Sequence, residues 1–129
     1  KIDDSIIRYT RDGIDGYSME NGYEMTKELL ASGEDFTAIY AISDSMAIGA
    51  CKAIFDAGGK IPEDYSVAGF DGLDIAHYYN PSITTIKQPV EEMAEETIKI
   101  LFDVINNEKP SQHRIFKGEL VVGQSTRAR

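Results

Sequence analysis

The stretch FTAIYAI, residues 36–42, runs directly into SDSMAIGACKAIFDA, residues 43–57, and this junction decides the fold. The first run is almost continuously apolar, which is typical of a strand buried on both faces of a sheet. The second run carries apolar residues at helical spacing and is closed by Gly58-Gly59, which predicts a helix over about 44–57. A buried strand that leads at once into a helix is the unit from which parallel α/β sheets are built.

The same alternation of strand and helix continues in both directions along the chain. Toward the amino terminus, SIIRYT at residues 5–10 predicts a short strand, and Ser18 is placed to cap a helix that runs to about Ala31. The remaining elements are strands at 65–70 and 82–88, strand-like pieces at 112–116 and 119–122, and a helix that follows Pro89 and runs to about Asn106. We therefore expect a single α/β domain over residues 1–129, a Rossmann-like three-layer α/β/α arrangement with a parallel sheet, right-handed crossovers and helices on both faces.

Composition narrows the class of protein. Thirteen Lys and Arg against 22 Asp and Glu give a net charge of −9, and such an acidic chain repels a phosphate backbone, which excludes nucleic-acid binding by this chain alone. No apolar run approaches the roughly 20 residues that cross a membrane, and no spacing of Cys and His suits a metal ion, so we expect no membrane partner, metal or cofactor. The lone Cys51 fits a reducing, cytoplasmic compartment. Because the chain starts at Lys1 without a signal-peptide pattern, we expect it to be a piece of a longer protein.

Polar side chains follow the predicted strands at the edge where ligands bind in parallel α/β sheets. Asp44 and Asp71 each follow a buried strand. Gln88 closes a third strand, and Tyr17 lies just before the first helix. Carboxylates accept paired hydrogen bonds from hydroxyl groups, an amide both donates and accepts, and an aromatic ring packs on the C–H face of a sugar. This set predicts a site for a small polyhydroxylated molecule.

Each of these residues also has a purely structural interpretation. Asp44, or Ser43 before it, could serve only as the N-cap of the following helix. Asp71 could form a turn with Gly72, and Tyr17 could pack against the helix behind it. Their coincidence at one edge favours a site. No Ser–His–Asp order, glycine-rich phosphate loop or metal cluster accompanies the acids, so we expect binding and not catalysis.

The helix over 44–57 is apolar nearly all round, so two of its sides must be buried against other parts of the protein. It could lie centrally under other elements of the same chain, or one of its two stripes could face a second subunit. We favour the second interpretation. The stripe that faces the sheet is Met46, Ala50, Ala53 and Ala57, and the predicted homodimer interface is Ile48, Cys51, Lys52 and Phe55.

Three motifs in this order resemble one family. AISDSMAIGACKAI, IPEDYSVAGFD and PSITTIKQ are similar to the lactose-repressor and purine-repressor (LacI/GalR) type of bacterial transcription regulator, and the resemblance covers most of the chain from about Ser18 onward. It implies a periplasmic-binding-protein-like effector domain, in which a sugar or a purine binds between two lobes. This chain would be mainly the second lobe, and DNA would be contacted only through a helix-turn-helix segment upstream.

The resemblance also assigns roles to residues. Tyr17 falls where the family often places an aromatic ring over the ligand, Asp71 falls on the ligand-binding Asp, and Gln88 falls near the crossing between the lobes. Ser43 and Asp44 align with an Asn-Asp pair, and Ser43 lacks the amide of the usual Asn, which puts the ligand contact at that position in doubt.

Residues 89–117 would pack in the missing first lobe. Without that partner, the apolar stripe of the last helix is expected to fold back on this lobe or to pack against another chain. The resulting hypothesis is the sugar-sensing domain of a DNA-binding regulator that acts as a homodimer. The alternative is an extracytoplasmic sugar-binding protein of a transporter, and an enzyme that uses Asp44 and Asp71 is the least favoured class.

Overall fold

The computed structural model describes residues 4–10, 16–106 and 113–128. Their helices and strands alternate along the chain, which confirms the α/β class. The helices are α1 (Met19–Ala31), α2 (Asp44–Asp56), α3 (Asp74–Tyr78) and α4 (Val90–Ile105). The strands are β1 (Ala38–Tyr40), β2 (Ser66–Ala68), β3 (Thr85–Lys87) and β4 (Glu119–Val121).

The four strands form two short two-stranded ladders that are joined by single bridges. β1 pairs with β2 in parallel, with Ile39 opposite Val67. Single parallel bridges, Ala68 to Thr84 and Asp71 to Lys87, link β2 and its extension to β3. The prediction of a parallel sheet is therefore confirmed for the first three strands, whereas β4 runs antiparallel to β3.

The helix ends form where local sequence predicts them. Ser18 Oγ accepts a hydrogen bond from the N–H of Asn21 at the start of α1, and Gly33 follows the helix with a φ of +78°. Ser43 Oγ accepts from the N–H of Met46 at the start of α2, and Gly58 follows with a φ of +82°. A serine hydroxyl satisfies an otherwise unpaired N–H at each start, and glycine adopts the left-handed conformation at each end without steric cost.

The core is built around α2, which lies between α1 and the sheet. A glycine on each helix permits the contact between α1 and α2. A Cβ on Gly22 would overlap the carbonyl group of Met46, and a Cβ on Gly49 would overlap the carbonyl oxygen of Met19. The two backbones therefore touch at positions where any side chain would separate them.

The second apolar stripe of α2 is covered largely by the same chain. Cys51 is completely buried and Ile48 is 7% exposed, because α1, α3 and the sheet surround the helix. The prediction that Cys51 contacts a second subunit is therefore wrong, and the alternative of a central helix applies to it. Phe55 is 39% exposed, and Lys52 lies at the surface in an ion pair with Asp56.

Burial makes the Cys51 thiol chemically inert in the folded chain. Desolvation raises the pKa of Cys51 from 9.0 to about 12. We expect a thiol-specific reagent at pH 8 to modify the folded chain at least ~100-fold more slowly than the chain in denaturant. The neutral thiol contributes its full stabilisation below its unfolded pKa, so this contribution to stability should be lost as the pH rises from about 9 toward 12. Rapid modification of the native chain would contradict this packing.

The amino-terminal segment differs from the prediction. A 3-10 turn spans Asp4–Ile6 and residues 7–10 form no strand, so the strand predicted at 5–10 is wrong. The Arg8 guanidinium donates to the carbonyls of Ser5 and Ile7, which holds the segment in local contacts. Residues 6–10 line a cavity of about 410 Å³ together with Ile39 and Tyr40 of β1, and residues 7–10 form no ladder with that strand.

The face of the sheet away from α2 is open in the described part of the chain. Tyr40 is 63% exposed and Ile42 is 50% exposed, so the expectation that β1 is covered on both faces is wrong. α4 does not cover this face, since none of its residues is buried. The expectation that the last helix folds back on this lobe is therefore wrong, and the alternative of packing against another chain stays a prediction. The large apolar residues of α4 that are exposed are Val90, Ile98, Leu101, Phe102, Val104 and Ile105.

Residues 113–116 form no strand either. Within them, Arg114 donates to Glu96 of α4 at 2.6 Å, and this contact lowers the pKa of the Glu96 carboxyl. Gln112, the first residue of the strand predicted there, lies outside the described residues.

Among the helices within the described ranges, none has the length and apolar composition that a membrane span requires.

Candidate functional site

The residues predicted to form a site lie along one edge of the sheet. Ser43 and Asp44 follow β1, Asp71 follows β2, and Gln88 follows β3. Because these three strands run parallel, their carboxyl ends meet at the same edge. Tyr17 joins the group through its carbonyl oxygen, which accepts a hydrogen bond from Ser43 Oγ at 3.2 Å. The placement of these residues therefore follows from the topology.

Asp71 and Gln88 form the accessible polar pair of this edge. Gln88 Nε2 donates to Asp71 Oδ1 at 2.7 Å, and the Gln88 N–H donates to the Asp71 carbonyl at 3.1 Å. Both residues are partly exposed. Within the described residues, the second carboxylate oxygen of Asp71 and the amide oxygen of Gln88 accept no further hydrogen bond from the protein. The pair therefore offers two acceptors to the hydroxyl groups of a ligand.

The backbone around Asp71 has an unusual conformation. Asp71 has a φ of +120°, and Gly72 has a φ of +76°. A Cβ on Gly72 would lie 2.5 Å from Lys87 Cα, so this position accepts only glycine. A positive φ in a non-glycine residue such as Asp71 costs about 1 to 3 kcal/mol and persists where the surroundings hold it in place. The turn directs the Asp71 carboxylate toward Gln88.

Ser43 and Asp44 are buried beneath the edge. Ser43 is 3% exposed, and Asp44 is completely buried. Ser43 supplies the helix cap, whereas Asp44 Oδ2 accepts a hydrogen bond from the N–H of Leu73 at 2.7 Å. The prediction that Ser43 and Asp44 contact a ligand directly is therefore wrong, and so is the interpretation of Asp44 as the cap.

The Tyr17 side chain is 61% exposed. Sequence reasoning missed Leu73, whose N–H meets the Asp44 carboxylate and whose side chain is 43% exposed beside Asp71 and Gly72. No motif marks Leu73, because its role depends on a backbone group and on a turn that only the fold defines.

Among the described residues, no cluster of His, Cys, Asp and Glu could hold a metal ion.

Comparisons with known proteins agree with this architecture. Residues 6–126 match the family described as a periplasmic binding protein-like domain. The chain is 46% identical over 121 residues to the HTH-type transcriptional regulator MalR of Clostridium butyricum, a match that covers 93% of this chain and 34% of that protein. The chain thus spans about a third of the length of the curated relatives it matches.

Two solved structures show the same fold. One is a LacI family transcriptional regulator from Enterococcus faecium with bound ribose, at 36% identity and a TM-score of 0.74, covering 85% of this chain and 41% of that one. The other is the Lac repressor dimer bound to operator and the anti-inducer ONPF, at 29% identity and a TM-score of 0.81, covering 86% of this chain and 39% of that one. The resemblance read from the motifs is confirmed. The chain belongs to the periplasmic binding protein-like domain family, and its relatives are LacI-family transcription regulators.

Proposed function

We propose that this chain is the ligand-sensing lobe of a transcription regulator and that a sugar or a similar polyhydroxylated molecule binds against Asp71, Gln88 and Tyr17. The observation that carries the proposal is the Asp71–Gln88 pair, joined at 2.7 Å and partly exposed at the carboxyl edge of the sheet. A carboxylate and an amide placed side by side can accept hydrogen bonds from neighbouring hydroxyl groups. The ribose bound by the Enterococcus faecium relative supports a sugar as the ligand class.

In the whole protein, the effector would lie between this lobe and another. A ligand that contacts both lobes stabilises one relative orientation and so shifts the population of the DNA-binding state. The net charge of −9 agrees with DNA contact through a different part of the protein, and a regulator of this kind acts in the cytoplasm. Since the relatives named above are regulators, we propose no catalytic role for the acids of this edge.

A homodimer contact is proposed for the exposed side of α1 and α2. Ile48 and Lys52 border a groove of about 460 Å³ that also includes Tyr23 and Tyr79. Phe55, one turn beyond Lys52, is 39% exposed. The Lac repressor relative is described as a dimer, which supports a homodimer for this protein.

α4 is proposed to pack in the first lobe as part of the segment 89–117, of which residues 107–112 lie outside the described part. None of the residues of α4 is buried here, although its apolar side chains would gain about 25 cal/mol for each Å² removed from water. Arg114 and Glu96 form an ion pair between α4 and residues 113–116 of the same proposed segment.

The proposal is tested by a thermal-shift and calorimetric screen of mono- and disaccharides against a form of the protein that contains both lobes. A compound at about 100 times its dissociation constant should stabilise the protein by roughly 2.7 kcal/mol. We expect Asp71→Asn to abolish the shift, because it removes the carboxylate that accepts from sugar hydroxyls. Asp35→Asn, which changes an exposed acid before β1 at the opposite edge, is the matched control and should keep it.

Failure of every sugar to stabilise a folded two-lobe protein would contradict the proposed ligand class. Full binding by the Asp71→Asn variant would contradict the proposed site.

A further inference from the structure

The Asp44 carboxylate is buried at a place where a carboxylate is costly. Asp44 has no exposed surface, and its Oδ2 accepts a hydrogen bond from the Leu73 N–H at 2.7 Å. Its Oδ1 is buried without a hydrogen-bond partner among the described residues. Gly69 packs directly against this oxygen, since a Cβ there would overlap Oδ1. An acid in such surroundings must contribute something that an apolar residue would not.

Asp44 bonds to both ends of the turn that carries Asp71. Its backbone N–H donates to the Phe70 carbonyl at 2.8 Å, and its side chain accepts from Leu73. Asp71 and Gly72 lie between these two contacts. Asp44 therefore links the two ends of the turn. Asp71 itself is held from the other side, where its N–H donates to the Ile86 carbonyl at 3.0 Å and its carbonyl accepts from the Gln88 N–H.

The turn needs such support from outside. Asp71 has a positive φ angle, which costs a non-glycine residue free energy, and among the described residues the Gly72 N–H makes one hydrogen bond, of 3.3 Å to Thr85 Oγ1. The position of Asp44 in the first turn of α2 places its charge near the positive end of the helix dipole, which offsets part of the cost of burial.

We propose that Asp44 is a positioning residue of the ligand site. Its carboxylate holds the turn over 70–73 in the conformation that presents the Asp71 side chain to Gln88. The contribution to ligand binding rests on the function proposed above for Asp71. The two hydrogen bonds of Asp44, to Phe70 and to Leu73, are here called the clamp, and the clamp is a property of the ligand-free chain. Asp44 thus acts on the ligand through Asp71 and never touches it.

Amide hydrogen exchange and side-chain amide resonances, measured by NMR on this chain without sugar, test the clamp. We expect the wild-type Leu73 N–H to be protected from exchange. Asp44→Ala should lower this protection about tenfold or more and displace the side-chain amide resonances of Gln88. Asp44→Asn retains an oxygen acceptor of the same shape and should restore most of the Leu73 protection.

Ser43→Ala is the matched control, because it removes the cap of the same helix without touching the turn. It should lower global stability and leave the Gln88 resonances in place. Displacement of these resonances by Ser43→Ala to the same extent as by Asp44→Ala would overturn the proposal, since loosening of α2 alone would then account for the effect. So would a folded Asp44→Ala variant with wild-type protection of Leu73.

An unprotected Leu73 N–H in the wild-type chain overturns the proposal whether or not Asp44→Ala folds. No sugar enters these measurements. The clamp can therefore fail while the proposed sugar site stands, and the sugar site can fail while the clamp stands.

Discussion

Replacing Gly49 by alanine is expected to destabilise the chain by about 3 kcal/mol, a large share of the roughly 5 to 15 kcal/mol that holds a typical domain folded. In an exposed helix the same change would stabilise by up to about 1 kcal/mol, so the sign of the effect is informative. At Gly49 the new methyl group overlaps the Met19 carbonyl oxygen and lies 2.8 Å from the Tyr23 nitrogen. Both are backbone atoms of α1, so the entire helix must move away from α2. Urea denaturation followed by circular dichroism measures the loss.

Gly33→Ala provides the comparison. Gly33 has a φ of +78° but nothing within 4 Å of an added Cβ, so alanine there meets only the backbone penalty of about 1 kcal/mol. A loss at Gly49 no greater than the loss at Gly33 would show that α1 and α2 do not touch through their backbones.

Ser125→Ala is expected to cost about 3 kcal/mol, although it removes a single oxygen atom. Ser125 is completely buried; its hydroxyl donates to the Val67 carbonyl at 2.6 Å and accepts from the Thr84 N–H at 2.9 Å. Alanine leaves both backbone groups without these partners in the core, between β2 and β3. The measurement is again the free energy of unfolding in urea, with a melting curve as a second reading.

Ser32→Ala is the matched control, because the same atom is removed from a residue that also makes two hydrogen bonds. Ser32 Oγ donates to the Leu29 carbonyl at 2.7 Å and accepts from the Glu34 N–H at 3.3 Å, but Ser32 is exposed. Water can replace its hydroxyl, so we expect a change within about 0.5 kcal/mol. Equal losses at the two serines would contradict the role of Ser125 as a buried link.

The parts of the fold that could be predicted are those fixed by local chemistry. Ser18 and Ser43 cap their helices, and Gly58 ends α2, because each contact is made within a few residues. The strand predicted at 5–10 failed because a strand exists only with a paired neighbour, and residues 7–10 pair with none of the described strands. The burial of Cys51 within its own chain could not be predicted either. An apolar helix face shows that the face is buried, but not whether the same chain or a second subunit buries it.

The sequence predicted that the candidate residues share one edge of the sheet, but not which of them are exposed there. Asp44, Asp71 and Gln88 reach one edge because parallel strands end together, and this follows from the alternation of strands and helices. Whether a polar residue at a strand end faces solvent depends on the turn above it. Asp71 and Gln88 remain partly exposed, whereas the turn over 70–73 covers Asp44 and donates to its carboxylate through the Leu73 N–H. That outcome depends on the φ angles of Asp71 and Gly72, which the pattern of apolar residues does not encode.

The link from Ser125 to Val67 has a consequence for the order in which a ribosome delivers the chain. The two residues are separated by 58 positions, so β2 emerges well before the hydroxyl that completes its hydrogen bonds. At a typical synthesis rate this interval is roughly 3 to 12 s. During that time the nascent strand presents an unsatisfied edge, which is the kind of surface that chaperones protect and that other unfinished chains can capture. The hydrogen bonds of β2 can therefore be completed only late in translation, after Ser125 has been synthesised.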